Sequence, residues 1–96
     1  MPVPKFLQSC FASYDVEKLD SRKDKKLIIT EILNKGVDRD VNWLYRTYSK
    51  EDIKGAVEKP TRGMWLKTTY NYWLKILGVD LPVNKFQEAI IDLNPR

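Results

Sequence analysis

Histidine is absent from this sequence of 96 residues, and cysteine occurs once, as Cys10. Because histidine is the usual general base near neutral pH and the commonest metal ligand, its absence excludes Ser-His-Asp and Cys-His centres and histidine-based metal sites. A lone cysteine cannot form an intramolecular disulfide or a cysteine-only zinc cluster. The chain also lacks a glycine-rich phosphate loop and a nucleophile beside a base. We therefore expect no catalytic residue, no metal site and no cofactor.

Long hydrophobic runs are absent as well. A transmembrane helix needs about 18 or more nearly uncharged apolar residues, and no such run occurs in the sequence. The chain shows no secretion signal and has no second cysteine for a disulfide, which is typical of proteins in a reducing compartment. The sequence therefore predicts a cytoplasmic protein that does not enter a membrane.

What the chain does have is the composition of a small globular domain, with 43% hydrophobic and 31% charged residues. The length fits one domain, and no internal repeat or convincing strand pair is visible. We expect a single all-α domain over residues 1–96, a compact helix-turn-helix-like bundle of four to five helices. Within it, residues 1–20 form an N-terminal lid and loop, 21–79 the helical core, and 80–96 a C-terminal extension.

Apolar residues recur at helical spacing in several segments. The predicted helices span residues 22–35, 38–48, 50–58 and 63–77, with a short final helix from Asn84. The first begins at a Ser21-x-x-Asp24 capping box, and Ser49 offers a similar box for the third. Gly78 is a typical C-terminal stop for the fourth.

The net charge of +4 is concentrated in one part of the chain. Residues 59–79 contain Lys59, Arg62, Lys67 and Lys75 and no acidic residue, while the other 13 basic side chains balance the 13 acidic ones. Helix 63–77 lies inside this window, so it is the basic helix of the chain.

Helices 38–48, 50–58 and 63–77 follow one another in the order of a helix-turn-helix unit, whose final helix enters the DNA major groove. The connection before helix 63–77 is about four or five residues, longer than a tight turn. On that helix Leu66, Tyr70, Trp73 and Leu77 form the core-facing stripe, flanked by Thr69, Leu74 and Ile76.

The opposite face of helix 63–77 carries Lys67, Thr68, Asn71 and Lys75. We interpret it as a surface for duplex DNA, with Lys67, Thr68 and Asn71 nearest the bases. The backbone phosphates would be bound by Lys59, Arg62 and Lys75. Arg62 would precede the helix start, where backbone N–H groups bind phosphate.

Two other interpretations of the same features stay open. The chain could be an interaction module that docks onto a partner enzyme through surface aromatics, since tyrosine and tryptophan are typical hot-spot residues. The candidate anchors are Tyr45, Trp65 and Tyr72. Alternatively, the basic face contacts only water, as in any helical bundle with a lysine-bearing surface helix.

Several segments resemble a short uncharacterised prokaryotic all-helical family, over about residues 4–79. The likeness is carried by Asp24-Lys25, Ile28-Ile29, Ile32-Leu33-Asn34-Lys35-Gly36, Trp43-Leu44, Thr47-Tyr48-Ser49-Lys50-Glu51-Asp52-Ile53, Asn71-Tyr72-Trp73 and Ile76-Leu77-Gly78-Val79. Members of that family are often encoded beside nucleotidyltransferase-type toxin genes of abortive-infection systems. The resemblance implies an antitoxin or a DNA-binding regulator of a toxin–antitoxin operon, with a toxin or other neighbouring-gene protein as partner. For the DNA-binding interpretation we expect weak binding by the monomer and useful binding by a homodimer.

Overall fold

The protein is described by a computed structural model that covers residues 3–91. Within this range five α-helices carry the fold, and no strand is present beyond an isolated bridge. They are α1 (Lys25–Lys35), α2 (Asp38–Thr47), α3 (Lys50–Glu58), α4 (Lys67–Leu77) and α5 (Val83–Ala89). Two short 3₁₀ helices, Lys5–Cys10 and Val16–Lys18, precede them. The predicted all-α bundle is confirmed.

Helix α1 lies at the centre of the molecule. Residues 28–33 are all buried, so the middle of this helix has no solvent-facing side. It contacts the N-terminal 3₁₀ helix and helices α2, α3 and α4. A helix that is buried all round belongs to the core and not to the surface.

The three helices that contact one another pairwise are α1, α3 and α4. The sequence predicted instead that α2, α3 and α4 form the three-helix unit. Helix α2 makes its main contacts with α1, because its inward face is short and comprises Asp40 and Leu44, followed by the C-cap residue Tyr48. In this arrangement α4 packs against both α1 and α3.

The start of α1 differs from the prediction. The helix begins at Lys25 with Asp24 as its N-cap residue, so the predicted Ser21 capping box is wrong, and the turn that precedes the helix is capped by Asp20. One carboxylate oxygen of Asp20 accepts hydrogen bonds from the backbone N–H groups of Arg22 (2.8 Å) and Lys23 (3.0 Å). Ser21 is buried, and its carbonyl oxygen accepts a bond from the Tyr48 hydroxyl.

Helices α2 and α3 lie close to their predicted limits. The predicted cap of α3 is confirmed, because the Ser49 hydroxyl accepts a hydrogen bond from the backbone N–H of Asp52 at 3.1 Å. Asp52 also accepts a bond from the Lys25 ammonium at 2.9 Å. This bond holds the start of α3 against the start of α1.

Helix α4 begins at Lys67, four residues later than predicted, so the connection from α3 is eight residues long (59–66). The connection is held by the C-terminal segment. The N–H groups of Gly63 and Trp65 donate to the carbonyl oxygens of Glu88 and Ala89, both at 2.9 Å, and Ile91 N–H donates to Trp65 O at 2.8 Å. This pairing keeps residues 63–65 out of a helix, because their backbone groups already have partners elsewhere.

Trp65 is therefore an interior residue, and its prediction as a surface residue is wrong. Its side chain is 0% exposed and lies against Tyr70, with ring centroids 4.7 Å apart. Tyr70 in turn stacks on Phe86 of α5 at 5.5 Å. The C-terminal segment up to residue 91 thus completes the core around this aromatic stack.

Replacing Trp65 by alanine should destabilise the protein by about 3–5 kcal/mol, because it removes a fully buried aromatic side chain and leaves a cavity. Chemical denaturation followed by circular dichroism measures the change. The matched control is Tyr72→Ala, which removes an aromatic ring that is 56% exposed and should cost about 0.5 kcal/mol or less. Equal losses for the two variants would contradict the burial of Trp65.

Candidate nucleic-acid interface

Helix α4 is fixed to the core by two side-chain hydrogen bonds from its inner face. The Tyr70 hydroxyl donates to Val57 O at 2.7 Å, and the Trp73 indole N–H donates to Leu33 O at 3.0 Å. Burial raises the pKa of Tyr70 to about 12, so the phenol keeps the proton of this bond at neutral pH. These bonds fix the rotation of α4 about its axis and therefore decide which residues point outward.

The outward face of α4 is the one predicted from the sequence. All four of its polar side chains are exposed: Lys67, Thr68, Asn71 and Lys75. Within residues 3–91 neither lysine takes part in an ion pair. The structure thus brings four of the six predicted DNA-contacting residues together on one solvent-facing surface, which we call the α4 face.

The remaining two predicted residues, Lys59 and Arg62, lie elsewhere. Arg62 was expected just before the first turn of α4, but it is in the connection, well upstream of Lys67. The residue at the start of α4 is Leu66, whose N–H donates to Asn34 at 3.2 Å. Arg62 is therefore not at the α4 N-terminus, because the extended pairing of residues 63–65 separates the two.

Lys59 and Arg62 instead line a groove of about 480 Å³ between the end of α3, the start of α1 and α5. Lys26 and Lys85 line the same groove. Sequence reasoning did not assign Lys85 to any site, because α5 lies far from α3 along the chain and only the folded structure brings them together.

The apolar side chains of α4 are distributed differently from the prediction. Leu66 and Ile76 were expected to face the core, but both are exposed, and Ile76 is 55% exposed. Trp73 is half-buried and contacts the ring of Tyr72 edge-on at 5.1 Å. One side of α4 therefore presents apolar surface to solvent beside the polar α4 face.

Of the three predicted partner-binding anchors, two are at the surface. Tyr45 on α2 is 42% exposed and Tyr72 on α4 is 56% exposed, whereas Trp65 is buried. Partial burial raises the pKa of Tyr45, and the neighbouring Tyr72 phenol raises it further.

The thiol and the two carboxylates that are buried in the core, those of Cys10, Asp40 and Glu31, each have a polar partner. The Cys10 thiol donates to an Asp40 carboxylate oxygen at 3.6 Å, and the other oxygen of Asp40 lies 3.5 Å from Arg39. Glu31 is paired with Lys35 at 3.0 Å. Burial, followed by the charge of Asp40, raises the pKa of Cys10 to about 11, so the thiol is protonated at neutral pH and a poor nucleophile.

In the part of the chain that the structure describes, no three histidine, cysteine, aspartate or glutamate side chains are grouped to hold a metal ion. Over the same residues, none of the helices has both the length and the apolar character needed to cross a bilayer.

Cys10 should react slowly with a thiol reagent in the folded protein at pH 8. With a pKa of about 11, about one thiol in a thousand is ionised at that pH, and the sulfur is shielded from solvent. The rate should rise as the pH approaches 11. The reagent releases a chromophore when it reacts with the thiol, and the absorbance of this chromophore measures the rate. The urea-unfolded protein is the reference. Equal rates in the folded and unfolded states would show that the thiol is accessible.

One family model matches the chain, over residues 6–57, and it is described as "Family of unknown function (DUF6922)". Neither a curated protein nor a solved structure shows significant similarity. The match runs from the N-terminal 3₁₀ helix through most of α3 and stops before α4. The match covers the N-terminal part of the resemblance seen in the sequence, and the description of the family contains no link to toxin genes. Because the match covers more than half of the 96 residues, the chain belongs to DUF6922, a family of unknown function.

Proposed function

We propose that the protein is a non-enzymatic DNA-binding domain whose α4 face enters the major groove of duplex DNA. The observation that carries this proposal is the exposed, unpaired and acid-free set of polar side chains on a helix whose opposite side is anchored in the core. In the complex Lys67, Thr68 and Asn71 are nearest the bases, and Lys75 contacts a backbone phosphate.

The dimensions and the chemistry of α4 suit this role. Its 11 residues make a rod about 16 Å long at 1.5 Å per residue, and the major groove, about 12 Å wide, admits an α-helix. Asparagine can form two hydrogen bonds with adenine, lysine can donate to guanine, and threonine can contact either a polar edge or the thymine methyl group. Each of these side chains is exposed on the same side of the helix.

The anchoring of α4 favours binding because the helix need not be ordered by the DNA. Hydrogen bonds from Tyr70 and Trp73 reach α3 and α1, so the recognition side chains project from a fixed backbone. A preorganised surface loses less conformational entropy on association than a mobile one.

A regulatory role in a toxin–antitoxin operon follows from the resemblance noted in the sequence. In this role the protein binds DNA upstream of its own gene, as a homodimer whose two α4 faces meet successive major grooves. A single helix of 11 residues offers few base contacts, which is the physical reason to expect a dimer. The neighbouring toxin is the protein partner.

The proposal is tested by titrating a labelled duplex from the upstream region of the gene with the protein at several salt concentrations. Asn71→Ala should lower the preference for the cognate duplex by about 1–3 kcal/mol, because it removes a base contact. Lys75→Gln should weaken binding to all sequences and make the slope of log affinity against log salt shallower by about 0.9. Lys18→Gln removes the same charge far along the chain from α4 and serves as the control.

Two results would contradict the proposal. One is an absence of salt-sensitive binding by the wild-type protein at micromolar concentration. The other is a duplex affinity that is the same for Asn71→Ala, for Lys75→Gln and for the Lys18→Gln control.

A second candidate function is docking onto a partner protein, and the exposure of Tyr45 and Tyr72 favours it. Tyrosine supplies contact area at low entropic cost and is enriched among the residues that dominate binding energy. Exposed Ile76 on α4 adds apolar surface beside Tyr72. The partner is the product of the neighbouring gene, as the resemblance implies.

Tyr72→Ala should abolish co-purification of the protein with the neighbouring gene product if this surface is the docking site, whereas Lys67→Gln should leave it unchanged. Co-expression followed by affinity capture of either protein measures the effect. Loss of the complex with Lys67→Gln but not with Tyr72→Ala would exclude the docking surface.

A further inference from the structure

The groove that contains Lys59 and Arg62 collects four basic side chains from three parts of the chain. Lys26 comes from α1, Lys59 and Arg62 belong to the connection between α3 and α4, and Lys85 comes from α5. Two acidic residues, Glu58 and Glu88, also line it, so the groove has an excess of two positive charges. The apolar part of its lining is formed by Pro60, Leu81, Pro82 and Ala89.

The four basic side chains are available to a ligand. All are exposed, and within residues 3–91 none lies within 4.0 Å of a carboxylate oxygen, although Glu58 and Glu88 are in the same groove. Other basic residues of the chain, such as Lys25 and Lys35, do form ion pairs. Within residues 3–91 the four basic side chains of the groove therefore have no ion pair that a ligand would have to break.

The backbone that carries these side chains is held by hydrogen bonds. The N–H of Lys59 donates to Gly55 O at 3.0 Å and closes the end of α3. The N–H of Gly63, next to Arg62, donates to Glu88 O at 2.9 Å and ties the connection to α5. The backbone that carries Lys59 and Arg62 is thus fixed before any ligand arrives, so binding does not have to order it.

We propose that this groove binds backbone phosphates of the duplex whose major groove receives the α4 face. The inference rests on the proposed function and extends it to Lys26 and Lys85. Phosphate is the anion that suits the site, because lysine and arginine neutralise phosphodiesters and release counterions from DNA. The groove gives orientation and affinity, whereas the base contacts of α4 give sequence preference.

The size of the molecule makes both contacts with one duplex reasonable. Its longest dimension is 35 Å, about the length of one helical turn of B-DNA. The groove offers four basic side chains to phosphates of that duplex.

The double variant Lys26→Gln/Lys85→Gln tests the inference, because neither residue belongs to the α4 face. Duplex affinity is measured by fluorescence anisotropy from low to moderate salt. The slope of log affinity against log salt should become shallower by about 1.8, at about 0.9 for each lost phosphate contact. The control Lys18→Gln/Lys50→Gln removes the same charge from exposed positions outside the groove and should change the slope much less.

A variant of opposite sign sharpens the test. Glu88→Gln removes a negative charge from the groove and should strengthen duplex binding at low salt, whereas Asp80→Asn, an exposed acidic residue outside the groove lining, should not. Both changes leave the backbone hydrogen bond from Gly63 N–H to Glu88 O in place. A difference in duplex affinity between the two variants therefore reports on the charge in the groove.

The outcomes separate the two proposals. If the groove variants behave like their controls while Asn71→Ala still weakens binding, the groove inference is overturned and the α4 face remains the interface. If the groove variants weaken binding and Asn71→Ala and Lys67→Gln do not, the groove is supported and the role of α4 is overturned. If the wild-type protein shows no salt-sensitive binding to duplex DNA, both are overturned.

Discussion

The complete burial of the middle of α1 is the constraint on which the rest of the fold depends. Residues 28–33 are all buried and four of the six are apolar, so packing partners must surround them. The N-terminal 3₁₀ helix and helices α2, α3 and α4 supply these partners. The surrounding helices turn one face toward α1, and the α4 face lies on the opposite side of one of them.

The two surfaces proposed for DNA lie outside the core and, for the most part, outside the segment that matches the family. The match ends at residue 57, whereas the α4 face and three of the four basic residues of the groove follow it. The matched segment contains α1 and its packing partners α2 and α3. The family model therefore describes mainly the packed helices α1 to α3. The proposed DNA interface is formed mainly by the part of the chain that follows them.

Local sequence patterns predicted the helices well, because helix limits depend on nearby residues. Helical spacing and caps such as Ser49 placed α2 and α3 closely, and the same spacing identified the outward residues of α4. The errors concern contacts between distant residues. Nothing near Trp65 in the sequence indicates that residues 88–91 pair with it, so its burial and the late start of α4 were missed. Lys85 was missed for the same reason.

The pairing of residues 63–65 with residues 88–91 also has a consequence for the order in which the protein folds. During synthesis the chain emerges from its N-terminus, and helices α1 to α3 can begin to assemble early. Trp65 appears well before the segment that covers it, so the nascent chain exposes a large aromatic ring until α5 has been made. The core is therefore completed late in folding. A chain that ends after α4 would leave Trp65 exposed to solvent, as an apolar surface prone to non-specific association, whereas the complete protein buries it.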